Sequence, residues 1–169
     1  GPSALQLCTD EFLTDAAELA RRRKVPIHIH LAETKAQAVM GRQIYGTSLL
    51  KHLDSIGVLD ANLSLAHSIW IEDDDVELFA RRGATPVHNP ASNLRIGSGL
   101  AKVREFLAAD VPVGLGTDGS ASNDGQNMFD AMRLAALIHN QAGTDFNDWV
   151  TPSQALAMAT RNGARAFGL

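Results

Sequence analysis

The amino-acid sequence predicts an α/β fold in which a parallel sheet is covered by helices. Three observations predict it. Strand-length apolar runs alternate with segments of helical pattern along the 169 residues. The runs are apolar on both faces, as in parallel sheets enclosed by helices. The conspicuous polar residues gather at or just beyond the C-terminal ends of these runs, the edge at which parallel α/β proteins bind ligands.

Taken in order, residues 9–24 read as a helix. Thr9 can cap it, acids fill its first turn, and the basic residues 21–24 lie where cations suit the macrodipole. Residues 25–31 (VPIHIHL) are β-rich and of strand length. Residues 35–56 are mostly helical with a break at Gly46, and residues 63–71 (LSLAHSIWI) form a near-continuous apolar strand. Residues 72–83 are a helix that opens acidic and closes basic; its run of acids from Glu72 to Asp75 reads as a solvated N-terminus. A short strand at 85–88, a helix at 99–109, a strand at 111–116 and helices at 125–141 and 152–167 follow. The last is capped by Thr151, with Pro152 at its first position. Residues 88–93 (HNPASN) are a turn by composition. The spacing resembles (β/α)₈ barrel units of about 30 residues, but eight units need about 250 residues, so the chain holds about half of them. A doubly wound open sheet of four strands fits the length better, and periodicity leaves both architectures open.

Composition narrows the function. Fifteen Lys and Arg against nineteen Asp and Glu give a net charge of −4, and no basic patch supplies the phosphate attraction that nucleic acid or an anionic membrane requires. A mean hydropathy of −0.06 with no apolar run near 18 residues excludes a membrane helix. The first apolar stretch is broken by Asp10 and Glu11, unlike a signal peptide. One cysteine, Cys8, excludes an internal disulfide framework and fits a reducing cytoplasm.

Four polar clusters carry the candidate chemistry. His28 and His30 stand at i and i+2, so a strand would turn both imidazoles to one face, toward a metal or toward neighbours that satisfy them. Glu33, three residues on, can curl over that face as a proton carrier, or serve as a first-turn acid of the next helix. His67 lies inside an apolar strand, as a hydrogen-bonded core residue or as a group facing His30. Asp118, between Gly116 and Gly119 in GTDGSASN (116–123), has a carboxylate the backbone can expose. His52 and His139 fall on helices and read as surface or packing residues.

HLAET (30–34), LAH (65–67), HNPASNLRIGSG (88–99) and GTDGSASN (116–123) occur in that order, about one βα unit apart. Together they closely resemble the metal-dependent amidohydrolase superfamily, in the branch holding triazine hydrolases and the guanine, 8-oxoguanine and S-adenosylhomocysteine deaminases. The resemblance covers essentially the whole chain. It implies a (β/α)₈ (TIM) barrel of which this chain is about strands five to eight, so that residues 1–169 are a partial catalytic domain. It implies a single Zn²⁺, alternatively Fe²⁺, with His30 and Asp118 as ligands. Glu33 would be the proton shuttle, and Asp118 would also take the proton of the attacking water. His67 would contact that water and the substrate without being a permanent ligand. The family's His-x-His pair on strand one has no counterpart. His28-Ile29-His30 looks like it, but Leu31-Ala32-Glu33 marks strand five and leaves His28 with no family role. Ser3 stands where several of the deaminases carry a substrate-touching histidine, a departure from adenosine-type recognition.

The expected function is hydrolytic deamination of a small nitrogen heterocycle, an aminopurine, pyrimidine or triazine, with His67, His88, Asn93 and Ser122 as candidate substrate contacts. Displacement of chloride or an amine from a triazine uses the same constellation. With two of four ligands, the chain alone is expected to be inactive or nearly so. The open sheet edges of a half-barrel predict homo-oligomerisation or pairing with an N-terminal half. The rival reading is a non-catalytic α/β fragment that binds a partner or only itself.

Overall fold

In the computed structural model, which describes residues 1–60, 62–143 and 145–169, helix α1 (Asp10–Arg23) starts where the Thr9 hydroxyl accepts from Phe12 N–H at 3.2 Å. Strand β1 (Ile27–Leu31) leads to α2 (Lys35–Tyr45) and α3 (Leu49–Ser55). These separate at Gly46, whose φ of 72° is a helix C-cap conformation that glycine adopts without a Cβ penalty. Then come β2 (Leu63–His67), α4 (Asp73–Arg82), β3 (Thr85–His88), α5 (Pro90–Arg95), α6 (Val103–Ala108), β4 (Gly114–Leu115), α7 (Met128–Ile138), α8 (Pro152–Ala159) and α9 (Arg161–Ala166). Among the described residues, no helix is long and apolar enough to cross a membrane.

The strands are parallel and hydrogen-bonded in sequential order, β1-β2-β3-β4, with Ile29 opposite Leu65, Ala66 opposite Val87 and Val87 opposite Gly114. A doubly wound sheet reverses its strand order at a switch point, whereas barrel strands run in sequence, so the pairing favours the barrel-type arrangement. One face of the sheet meets the helices. Ile29, Leu31, Leu63 and Leu65 join Leu13, Leu50, Leu53 and Phe79 in a continuous buried core. The other face carries His28 and His30 on β1, and Ser64 and Ala66 opposite them on β2. It is therefore not apolar, as expected from the runs, but partly polar and partly open.

Several boundaries differ from the pattern reading. The apolar run at 63–71 stays in the sheet only to His67, because His67 (φ 70°) and Ser68 (φ 46°) turn left-handed and Ile69 and Trp70 donate to Ala32 O instead. The HNPASN segment is helix from Pro90, whose fixed φ suits the first helical position. The final helix breaks at Thr160 (φ −122°, ψ −96°). Asp75 is not solvated: it is buried, accepts from Ser48 Oγ at 2.6 Å and from Glu72 N–H at 2.9 Å, and burial raises its carboxyl pKa.

Candidate metal centre

Three strand ends converge on one point of the open face. His30 projects there from β1. Its backbone N–H donates to Ser3 O at 2.9 Å, and its Nδ1 lies 2.6 Å from the same carbonyl. A carbonyl only accepts, so Nδ1 is the donor, and in the neutral ring Nε2 is the lone pair. His67 ends β2. Strand alternation alone would send it to the helix side with Leu63 and Leu65; its left-handed backbone turns the ring to the other face, where it stacks on His30 with centroids 5.3 Å apart. Its Nδ1 lies 2.9 Å from Asn93 Oδ1.

Asp118 follows β4 with φ 62°, also left-handed. Its Oδ1 accepts from Gly119 N–H at 2.7 Å, and its Oδ2 accepts from Ser92 Oγ at 2.5 Å and Ser122 Oγ at 3.0 Å. Partial burial would raise this carboxyl, but the Ser92 hydroxyl, the Gly119 N–H, the Ser122 hydroxyl and His67 outweigh it and hold the pKa below the usual carboxylate value. A Cβ at position 116 would sit 2.3 Å from Asn89 Oδ1, so only glycine lets the Asn89 side chain lie beside β4.

One donor atom from each of His30, His67 and Asp118 lies within 4.8 Å of the others. Glu33, in the turn after β1, brings Oε1 to 3.9 Å from His67 Nε2, and Asp118 Oδ2 is also 3.9 Å from that nitrogen. His67 Nε2 is fully buried, with no hydrogen-bond partner among the described residues. A buried, unpartnered imidazole nitrogen facing two carboxylates is the environment a cation would satisfy. Two imidazole nitrogens and a carboxylate oxygen form a donor set that suits zinc or iron(II).

The other candidates are distributed differently. Ser122 touches the cluster through Asp118. Asn93 is buried behind His67 and holds its far nitrogen. His88, expected to touch substrate, does not reach the cluster. Val87 is the β3 residue that faces the Gly114 side of the open face, so His88 turns the other way, into the helix layer, and its Nε2 meets His139 Nε2 at 3.2 Å. Burial, then His139 and His67, push the His88 pKa well down; burial, then Arg104, lower His139 to about 4. His28 shares the open face with His30 but gives its Nδ1 to Ser64 Oγ at 2.8 Å and stays outside the cluster. Pattern reading missed the Ser3 carbonyl and the His88–His139 pair. A backbone acceptor leaves no mark in composition, and a pair 51 residues apart shows only in three dimensions.

The whole chain, residues 1–169, matches the model of the amidohydrolase family. It is 40% identical to a 5'-deoxyadenosine deaminase of Methanosarcina mazei over 169 residues, which is 99% of this chain and 39% of that protein. It superposes on the crystal structure of an adenosine deaminase from Xanthomonas campestris with bound zinc at a TM-score of 0.94 and 32% identity, covering 99% of this chain and 38% of that one. It also superposes on an atrazine chlorohydrolase from Arthrobacter aurescens complexed with zinc, at a TM-score of 0.89 and 36% identity, covering 95% of this chain and 35% of that one. The chain thus spans about two-fifths of the length of the relatives it matches. Matched from end to end, with a parallel sheet and a His-His-Asp cluster at its strand ends, the chain belongs to the amidohydrolase family.

Proposed function

We propose that residues 1–169 are the part of an amidohydrolase barrel holding strands five to eight, and that the parent protein deaminates a nitrogen heterocycle hydrolytically. The observation that carries this is the convergence of His30, His67 and Asp118 within 4.8 Å, with Glu33 beside them. His30 and Asp118 would hold a divalent ion, zinc or iron(II), with further donors supplied from outside this chain. That ion would acidify the attacking water, lowering its pKa toward ~7. Asp118 takes the proton of this water; its three hydrogen bonds keep it ionised and ready to accept. His67 turns its bare Nε2 to the same space, where it orients the water by accepting a hydrogen bond. Glu33, with Oε1 3.9 Å from that nitrogen, is placed to protonate the ring nitrogen of the substrate. The bond from water oxygen to the ring carbon forms first; the carbon–nitrogen bond then breaks, the amino group leaves as ammonia with the proton that Asp118 received, and the proton left on the new hydroxyl returns to Glu33, so the balance is amine plus water to oxo product plus ammonia.

A second reading is favoured by the likeness to the atrazine chlorohydrolase structure: displacement of chloride from a triazine by the same residues. In either case the chain alone carries an incomplete ligand set and turns over little or no substrate. The β1 and β4 edges take up the complementary strands of the barrel or, failing that, a second copy of the chain. The lone thiol, Cys8, suits the reducing cytoplasm, where we place the protein.

The test is an assay of the metal-loaded parent protein against 5'-deoxyadenosine, adenosine, guanine and a chlorotriazine, with ammonia and chloride both measured. Ammonia release that follows metal content supports deamination. Chloride as the main product selects the second reading. Neither product from any of these compounds overturns both.

A further inference from the structure

His67 is held in the site against the preference of its own backbone. The residue is left-handed at φ 70° and followed by a second left-handed residue, Ser68, at φ 46°, a conformation unfavourable for side chains other than glycine. Such a turn points the ring to the open face but does not choose its rotation or its tautomer. A second contact has to, and the only side chains whose polar atoms approach Nδ1 among the described residues come from the segment after β3: Asn93 Oδ1, an acceptor, at 2.9 Å, and Asn89 Nδ2, a donor that would need a bare Nδ1, at the much longer 3.5 Å.

We infer that Asn93 is a positioning residue: its Oδ1 accepts from His67 Nδ1–H and so leaves Nε2 unprotonated and aimed at the cluster. The inference rests on the proposed function only for its consequence, because the geometry stands in the chain by itself. Asn93 is buried, and its helix is tied to the Asp118 loop. Ser92, one residue earlier and fully buried, donates to Asp118 Oδ2, and Arg95 reaches Asp124 in the loop beyond Asp118. Successive helical residues point about 100° apart, so α5 grips His67 with one side chain and Asp118 with the next. One short helix thereby fixes the spacing between the two. The cost is visible: Asn93 Nδ2 is buried with no hydrogen-bond partner among the described residues. Leaving that amide unsatisfied is destabilising, and a leucine of similar size would avoid it. An asparagine kept at such a cost needs a use for its oxygen, and His67 Nδ1 is that use.

The test reads the tautomer directly, on the metal-free chain with ¹⁵N-labelled histidine at about pH 8, above the usual imidazole range. Long-range couplings to the ring protons tell Nδ1 from Nε2. The expected spectrum has the His67 proton on Nδ1. In Asn93→Leu that signature is lost and the proton moves to Nε2 or exchanges between both nitrogens. In Asn93→Asp, which keeps an acceptor oxygen in place, it returns. Amide spectra of the variants check that each remains folded, and if Asn93→Leu does not fold, the unaltered chain and Asn93→Asp still decide. A His67 proton on Nε2 in the unaltered chain, or an unchanged signature in folded Asn93→Leu, overturns the inference. A zinc titration of the same samples speaks to the other reading: zinc that perturbs neither His30 nor His67 counts against the proposed metal site and leaves the tautomer result standing.

Discussion

His30 and His67 stack with their centroids 5.3 Å apart, and His88 and His139 lie 5.0 Å apart on the opposite side of the sheet. The two pairs are alike in spacing and differ in where their nitrogens go. His88 and His139 turn Nε2 toward each other at 3.2 Å, an arrangement in which one ring donates and the other accepts, and burial keeps both neutral. His30 and His67 instead give Nδ1 to Ser3 O and Asn93 Oδ1 and leave their other nitrogens beside the carboxylates of Glu33 and Asp118. The first pair spends its facing nitrogens on each other and ties β3 to the segment after α7, and the His88 nitrogen left without a partner, Nδ1, is buried away from the Glu33–Asp118 cluster. The second has binding capacity left over. Spare donor atoms next to charge, rather than histidines close together, distinguish a site from a staple.

The comparison breaks most visibly at Asp118. In the metal-loaded parent protein, Asp118→Asn should lower ammonia release by about 10³-fold or more, since the proposed ligand and proton acceptor would both be lost. His139→Gln, on the other side of the sheet, should leave it within about threefold. Equal losses in the two variants would erase the distinction.

The staple should show itself in acid. A His139 pKa lowered from 6.5 to about 4 means that the unfolded chain binds a proton the folded chain refuses between those values. The contribution of His139 to stability is therefore fully present above about pH 6.5 and is lost as the pH drops toward about 4, by roughly 3 kcal/mol. The His88 shift acts in the same direction. Urea unfolding across this range measures it, and the double replacement His88→Leu/His139→Leu should remove this part of the slope. An unaltered slope would mean that the pair is not what loses stability in acid.

Smaller effects sharpen the boundary of each region. Thr34→Ala removes the hydroxyl that accepts from Gln37 N–H at 3.3 Å and caps the helix after Glu33, and should cost about 1 kcal/mol in thermal or urea unfolding. His28→Ala should change zinc affinity, followed by chelator competition, by less than about threefold, because His28 is tied to Ser64 and lies outside the cluster. A tenfold weakening would bring His28 into the site.

Local chemistry was legible. Thr9 and Thr151 each receive the backbone N–H three residues on, and Gly46 ends its helix left-handed. These features depend on residues within one turn of each other, and the sequence shows all of them. The gathering of His30, Glu33, His67 and Asp118 was legible too, through motifs that follow strands. Asp75 was misjudged because its partner, Ser48, lies 27 residues away.

By itself, then, the sequence determined the alternation of strands and helices, their caps, and the order in which the chemical groups arrive at the sheet edge. Only the tertiary structure decided which face each group serves. A strand shows its side chains alternately to two faces, and pairing decides which of the two His88 joins: Val87 lies opposite Ala66 and Gly114 on the open face, which sends the next residue to the helices. His67 escapes that rule through a left-handed backbone that no composition announces, and a buried asparagine from another segment then holds its ring. Contacts of this kind depend on the register of distant segments, which hydrophobic periodicity does not encode.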